Sequence, residues 1–192
     1  MKSKQLNPIL IETQRLKLHG YRFLDIKFIF ENYNKAEIME ILGHRSDDDF
    51  QKEEYKYLNG YASYNRNFIL FLLIEKESKL IIGRCGLHNW NEDHKRAEIG
   101  YNMSDEDFKR KGLMNEAVEH ILAYGFNQLS LQRIEAIVGA NNFPSLKIIQ
   151  KHRFCQEGVL RKHSFSEDKF EDSILFSLLQ EEYIAFQQSK NL

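Results

Sequence analysis

Residues 96–120 read RAEIGYNMSDEDFKRKGLMNEAVEH, and this stretch predicts a strand, a basic turn and the start of a helix. Residues 97–103 alternate small or apolar side chains with polar ones, which is typical of a strand. The SDED segment that follows is rich in turn-forming residues. Beyond Gly112, apolar residues recur at helical spacing and predict a helix with one buried face: Leu113, Met114, Ala117, Val118, Ile121, Leu122 and Phe126.

The junction between the basic turn and this helix has the features of an anion site. The first turn of a helix carries unpaired backbone N–H groups and the positive end of the helix dipole, and a glycine lets a ligand approach the backbone. Lys109, Arg110 and Lys111 add positive charge directly before Gly112. A phosphate-bearing ligand is the natural occupant, although such cations also occur in plain solvated turns. The P-loop and dinucleotide glycine motifs are absent from the sequence.

The same stretch resembles the central motif of the GNAT acetyltransferases, and most closely the branch that acetylates the N-termini of ribosomal proteins. The matching residues are Ala97, Glu98, Ile99, Gly100 and Tyr101, followed by Lys111, Gly112, Glu116 and Ala117. Two residues depart from the pattern: Lys109 stands at a Gln/Arg position, and Met114 replaces a small residue. The loop is also one residue longer than usual in the family.

Four further blocks resemble the same family and occur in its order. They are an IETQRL start, RIEAIV, an N-x-x-S followed by EGVLR, and a closing F-x-D-x-x-L-F-S-L-L. Arg153 stands where the family usually has glycine, before Phe154. The resemblance extends from Ile11 to Glu182, so we expect one acetyltransferase domain over residues 10–182 and a tail over 183–192.

The succession of elements predicts a mixed α+β fold. Residues 67–90 predict a hairpin whose first strand, the unbroken apolar run 68–74, is buried on both faces. Asp25 and Ser145 are candidate helix N-caps. The resemblance implies a mixed, mostly antiparallel central sheet that is flanked by helices and splayed beside the strand at 97–103.

The composition of the chain argues against several classes of protein, namely nucleic-acid-binding, disulfide-rich, metal-binding and membrane proteins. The chain has 192 residues, 42% of them hydrophobic, and a net charge of −1, so no global basic field favours nucleic acid. Cys85 and Cys155 are too few for a disulfide scaffold, and the seven histidines have no metal-ligand spacing. No apolar run is long enough for a signal peptide or a membrane span. We therefore expect a cytoplasmic protein with no metal and no membrane partner.

The resemblance implies that acetyl-CoA is the cosubstrate. Its pantetheine arm is expected along the backbone of Tyr101, Asn102 and Met103. Its diphosphate is expected at the N–H groups of the next turn: Arg110, Lys111, Gly112, Leu113, Met114 and Asn115. Asn142, at the N-x-x-S position, is expected to hydrogen-bond the pantetheine. The alternative is that Asn142 is simply a turn residue before a helix.

Two residues are candidates for the chemistry of acetyl transfer to an amine. Glu98 is the candidate base, because desolvation between strands could raise its pKa toward neutrality. The alternative is a structural glutamate that pairs with Arg96 or holds a sheet edge. Ser145 is the candidate donor of a proton to the departing thiolate, since Ile149 stands where many relatives have a tyrosine. Its alternative role is the N-cap alone.

The predicted function is transfer of an acetyl group from acetyl-CoA to a primary amine by direct attack in a ternary complex. The acceptor is a protein N-terminus or a small molecule. The resemblance implies that the tyrosine-rich helix over residues 47–65 walls the acceptor cleft, and the alternative is a helix that packs its ring faces with the hydroxyls in water. The competing hypothesis is a non-catalytic acyl-CoA-binding protein of the same fold, and a more remote one is a plain interaction module. The sequence allows a monomer or a homodimer.

Overall fold

The computed structural model describes residues 6–60, 67–166 and 168–190, which form eight strands and six helices. The strands are β1 (Ile9–Glu12), β2 (Leu16–Arg22), β3 (Asn67–Glu75), β4 (Ile81–Asn91), β5 (Arg96–Met103), β6 (Arg133–Gly139), β7 (Cys155–Ser166) and β8 (Lys169–Leu179). The helices are α1 (Phe23–Asn32), α2 (Lys35–Leu42), α3 (Asp47–Asn59), α4 (Leu113–Asn127), α5 (Phe143–Lys151) and α6 (Gln180–Lys190). A short 3₁₀ turn, Glu106–Phe108, precedes α4.

The strands form one sheet in the order β1-β2-β3-β4-β5-β6-β8-β7. Every neighbouring pair is antiparallel except β5 and β6, which are parallel. The expected mixed, mostly antiparallel sheet with flanking helices is thereby confirmed.

The parallel pair opens partway along its length. The register between β5 and β6 covers Arg96–Arg133, Ala97–Ile134 and Glu98–Glu135. Beyond that point β5 continues to Met103 and β6 to Gly139, with no further pairing recorded between these two described strands. The sheet therefore splays beside β5, as expected.

The two faces of the sheet carry different helices. On one, which we call the α4 face, the predicted apolar residues of α4 are buried against the strands, and Phe71 contacts Tyr124 edge-on with ring centroids 5.7 Å apart. On the other, the α3 face, Leu72 packs in a second cluster with Ile26, Leu42 and other residues of α1 to α3. Strand β3 is thus buried on both sides, because its adjacent residues serve opposite clusters.

Several local predictions differ from the structure. Helix α1 begins before Asp25, whose carboxylate accepts the N–H of the true N-cap, Arg22, at 2.8 Å. Helix α2 was not predicted. Helix α3 ends at Asn59 before Gly60, and residues 61–65 of the predicted longer helix lie outside the described part of the chain.

The C-terminal segment continues the packed structure. Residues 180–190 form α6, and the ring of Tyr183 stacks on Phe126 with centroids 4.8 Å apart. Burial therefore extends past residue 182, into the segment that the sequence assigned to a tail; the domain boundary itself stays a prediction. Among the described residues, no helix has both the length and the apolar character needed to cross a bilayer.

Candidate active site

The turn before α4 is built on two left-handed residues. Gly112 is the N-cap of α4 with φ +77°, and Arg110 lies two residues earlier with φ +60°. The conformation at Gly112 favours glycine because a β-carbon is strained there. The first backbone N–H groups of α4 have no partner four residues back within the helix. We call residues 109–112 the basic loop.

The basic loop is held by a segment that lies far away in sequence. Glu116, on the first turn of α4, accepts hydrogen bonds from the Thr13 hydroxyl at 2.6 Å and from the Arg15 backbone N–H at 2.7 Å. Arg15 Nε reaches the second carboxylate oxygen at 2.8 Å, and its Nη1 donates to the Lys111 carbonyl at 2.9 Å. Burial raises the pKa of Glu116, but these partners outweigh it, so the net shift is downward and Glu116 is a carboxylate. Sequence reasoning missed this clamp.

Helix α5 lies on the far side of the gap. Its N-cap is Asn142, whose Oδ1 accepts the N–H of Ser145 at 3.2 Å. The prediction that Ser145 is the N-cap was wrong, because Pro144 fits the first turn of a helix, where its missing N–H is no loss. The Ser145 hydroxyl is therefore not the cap, and the Asn142 amide nitrogen stays available as a donor.

A tyrosine links β5 to α5 at this point. The Tyr101 hydroxyl donates to the Ser145 carbonyl at 3.3 Å. Burial raises the pKa of Tyr101 to about 12, despite that hydrogen bond. Tyr101 therefore remains a protonated donor and fixes α5 relative to the splayed part of β5. Ile149 is fully buried in the core, and an isoleucine supplies no hydroxyl there.

Glu98 lies on the α3 face, at the last residue of β5 that pairs with β6. Its carboxylate contacts His88 Nε2 at 3.2 Å and accepts from Asn89 Nδ2 at 2.9 Å. Burial raises the pKa of Glu98, but His88 and Asn89 more than offset it and the net shift is downward. The expected upward shift was therefore wrong. The alternative pairing with Arg96 is also wrong, since Arg96 Nη1 contacts Glu135 at 3.2 Å.

His88 is a site residue that sequence reasoning missed. It lies directly opposite Glu98 in the β4–β5 register. Its ring lies over Gly100, where a β-carbon would come within 2.8 Å of His88 Cε1. The hairpin itself was the available signal, because antiparallel partners share a face and come close.

The α3 face carries an open cleft beside these residues. A hollow of about 480 Å³ extends from α3 to Asn102 and Met103, and an adjoining hollow of about 300 Å³ reaches His88 and Gly100. Both are lined by Glu53, Lys56 and Arg84. We call the two hollows together the α3 cleft.

An ion pair divides the α3 cleft. Arg84 Nη1 lies 3.0 Å from Glu53 Oε2, and Arg84 Nη2 donates to the Leu42 carbonyl at 2.9 Å. Helix α3 thus forms one wall of the α3 cleft through charged residues, and its role as the wall of an acceptor site stays a prediction. Tyr57 stacks on Phe30 instead, and Tyr61 and Tyr64 lie outside the described residues.

Comparison with known proteins identifies the family. The profile of the acetyltransferase (GNAT) domain matches residues 15–154, which span the basic loop, the gap and the N-cap of α5. The chain belongs to the GNAT acetyltransferase family. It is an acyltransferase that moves an acetyl group to an amine, and the predicted family and activity are confirmed.

Relatives and solved structures agree with this assignment. An uncharacterized N-acetyltransferase p20 from Bacillus licheniformis is 40% identical over 89% of this chain and 96% of its own length. The spermidine N(1)-acetyltransferase of Escherichia coli K12 is 32% identical over 88% of this chain and 89% of its own. The crystal structure of a ribosomal-protein-S5-alanine acetyltransferase from Vibrio fischeri covers 91% of this chain and 98% of its own, with a TM-score of 0.65 and 18% identity, and shows the shared fold.

Proposed function

We propose that this acetyltransferase uses acetyl-CoA as the donor and passes the acetyl group directly to a primary amine bound in the same complex. The observation that supports this most strongly is the parting of β5 and β6 after Glu98. Strand β5 continues to Met103 beyond that point, so backbone groups at Tyr101, Asn102 and Met103 can pair with an extended ligand that carries amides. The pantetheine arm of acetyl-CoA is such a ligand.

The basic loop fits the diphosphate of the same molecule. The N–H groups of Leu113, Met114 and Asn115 open α4 without partners inside the helix, and Gly112 leaves the approach free of a side chain. Arg110 and Lys111 are exposed beside them and add positive charge. Arg15 and Glu116 hold the loop in place, which supports a site formed before the ligand arrives.

The acceptor is proposed to enter from the α3 face and the donor from the gap. When bound, acetyl-CoA supplies an activated thioester. Asn142 can donate its amide N–H to the ligand across the gap, and the Ser145 hydroxyl can protonate the departing thiolate. Glu98 lies where the gap begins, so the amine would meet the acetyl group beside it. An amine that is protonated in water must lose a proton before its nitrogen can attack the acetyl group. A group on the α3 face must therefore accept this proton.

The names of two similar proteins support a proposal for the acceptor class. The relatives include one named for spermidine, and a structure named for a ribosomal-protein alanine. Both names describe a primary amine, so we propose a primary amine on a protein N-terminus or a small molecule. Oligomeric state and cytoplasmic location stay predictions.

The test is free-thiol release from acetyl-CoA with a panel of amines: an N-terminal alanine peptide, a lysine peptide, a polyamine and an amino sugar. We expect release with at least one of them. Gly112→Glu should abolish acetyl-CoA binding, whereas Gly158→Glu, where a β-carbon meets nothing within 4 Å, should leave it unchanged.

Two outcomes would contradict the proposal. Tight acetyl-CoA binding by the wild type without thiol release for any amine would favour a non-catalytic binding protein. Equal acetyl-CoA affinity of the Gly112→Glu variant and the wild type would show that the donor does not use the basic loop.

A further inference from the structure

We propose that His88 is the base that takes the proton from the acceptor amine and that Glu98 is its positioning residue. This inference rests on the proposed function, since it needs an amine in the α3 cleft and an acetyl donor in the gap. It reverses the expectation from sequence, in which Glu98 itself was the base.

The first argument is the direction of the hydrogen bond between the two residues. His88 Nε2 lies 3.2 Å from Glu98 Oε1, and Glu98 also accepts from Asn89. A carboxylate that accepts from both neighbours requires the hydrogen of a neutral His88 to be on Nε2, a tautomer assigned from these contacts. Nδ1 then carries the lone pair. Glu98 therefore holds the ring in the form that can accept a proton.

The second argument is access. The His88 side chain is 44% exposed and lines the smaller hollow of the α3 cleft, whereas the Glu98 side chain is 16% exposed. The Nδ1 edge of the ring lies over Gly100, because a β-carbon at that residue would be 3.3 Å from Nδ1 and 2.8 Å from Cε1. Gly100 is two residues past Glu98, on the part of β5 that is no longer paired with β6. The basic nitrogen therefore lies where an amine in the cleft would meet a donor in the gap.

The third argument is the set of charges around the ring. Glu53 and Lys56 of α3 and Arg84 of β4 line the same cleft, and Glu53 is held by Arg84. His163 of β7 acts electrostatically on Glu98 from the other side of the sheet's gap. The carboxylate in direct contact with His88 is therefore that of Glu98. Imidazole is the side chain that ordinarily gains and loses a proton near neutral pH, as a base for an amine must.

The step conserves protons and electrons. His88 Nδ1 removes one proton from the ammonium, and the freed nitrogen lone pair forms the C–N bond to the acetyl carbonyl carbon. The C–S bond breaks and its electron pair leaves on the thiolate. The second nitrogen proton passes to that thiolate, through Ser145 or water, and gives the free thiol. His88 then releases its proton to solvent.

The experiment measures kcat/KM against pH for the wild type, His88→Gln and Glu98→Gln, with the amine that the panel identifies. His94→Gln, an exposed turn residue, is the matched control. We expect His88→Gln to lower kcat/KM by roughly 100-fold or more, the usual scale of general-base catalysis, with the affinity for acetyl-CoA unchanged. Glu98→Gln should lower kcat/KM by less than His88→Gln does, and the double variant should lose no more than His88→Gln alone, because Glu98 acts through the ring. His94→Gln should match the wild type.

A second readout does not need an acceptor. The nitrogen NMR signals of the His88 ring should show the hydrogen on Nε2 in the wild type and a loss of that preference in Glu98→Gln, and the spectrum reports whether each variant is folded. A loss of kcat/KM in His88→Gln that stays below about 100-fold would overturn the proposal, as would a His88 tautomer that Glu98→Gln leaves unchanged. Failure of the wild type to release thiol with any amine would instead contradict the proposed function, so the two failures are distinguishable.

Discussion

Arg15 donates hydrogen bonds to both carboxylate oxygens of Glu116, which lies 101 residues further along the chain. The Arg15 backbone N–H lies 2.7 Å from one oxygen, and its Nε lies 2.8 Å from the other. The same guanidinium donates from Nη1 to the carbonyl of Lys111 in the basic loop. The pair therefore ties the turn between β1 and β2 to the first turn of α4. The conformation of the proposed diphosphate site depends on this contact.

Arg15→Ala should weaken acetyl-CoA binding by about fivefold to tenfold, because the Lys111 carbonyl and Glu116 both lose a charged donor. Lys17→Ala is the matched control, since Lys17 lies two residues further along, in β2, in an exposed pair with Glu12 at 3.7 Å. Calorimetric titration of both variants with acetyl-CoA checks this. Equal affinities for the two variants would show that the clamp does not shape the site.

Gly112→Ala should reduce acetyl-CoA affinity by about fivefold to thirtyfold, since a side chain at φ +77° costs about 1–2 kcal/mol and the turn must change to relieve it. Gly158→Ala has open space around its β-carbon and should bind like the wild type. The measurement is the dissociation constant of each variant. A Gly112→Ala variant with unchanged affinity would show that the left-handed turn is unnecessary for binding.

Glu53→Ala should destabilise the fold by about 2 kcal/mol. Glu53 is 4% exposed and paired with Arg84, and removal of one partner leaves a poorly solvated charge. The Arg84 side chain is 25% exposed, so the effect falls below that of a fully buried pair. Lys52→Ala removes a surface pair with Asp48 and should change stability far less, because solvent screens an exposed ion pair. Urea denaturation of both variants tests the contrast.

His152 should make the fold less stable in mild acid. Burial above all, with the charges of Lys190 and Lys151, lowers its pKa to about 4 despite Glu119. Between about pH 6.5 and 4 the unfolded chain therefore binds a proton that the folded chain does not, and stability falls as pH falls. The loss attributable to this residue is about 2–3 kcal/mol.

The check compares unfolding free energies at pH 7.5 and pH 4.5. His152→Gln should lose less stability than the wild type over this interval, and His94→Gln, which alters an exposed histidine, should follow the wild type. Identical losses in the wild type and His152→Gln would refute the account of His152.

The sequence predicts those parts of the structure that depend on local patterns. The buried face of α4 follows from helical periodicity, and the burial of β3 on both faces follows from its unbroken apolar run. The position of Gly112 at the start of α4 follows from its place before that periodic run. Each of these needs only residues that are close in sequence.

The parts that were missed depend on partners distant in sequence or on a balance of terms. No pattern joins Arg15 to Glu116 across 101 residues. The pKa of Glu98 depends on whether burial or hydrogen bonding dominates, and that requires knowing that His88 and Asn89 both contact it. The N-cap of α5 is Asn142 and not the predicted Ser145, because proline fits inside the first turn of a helix as well as before it.

The most direct test of the central claim is a crystal structure of the protein with CoA. The account predicts that diphosphate oxygens accept hydrogen bonds from the N–H groups of Leu113, Met114 and Asn115, and that the pantetheine arm lies against Tyr101 and Met103 between β5 and β6. A CoA molecule bound elsewhere, with the first turn of α4 in contact with solvent alone, would contradict it.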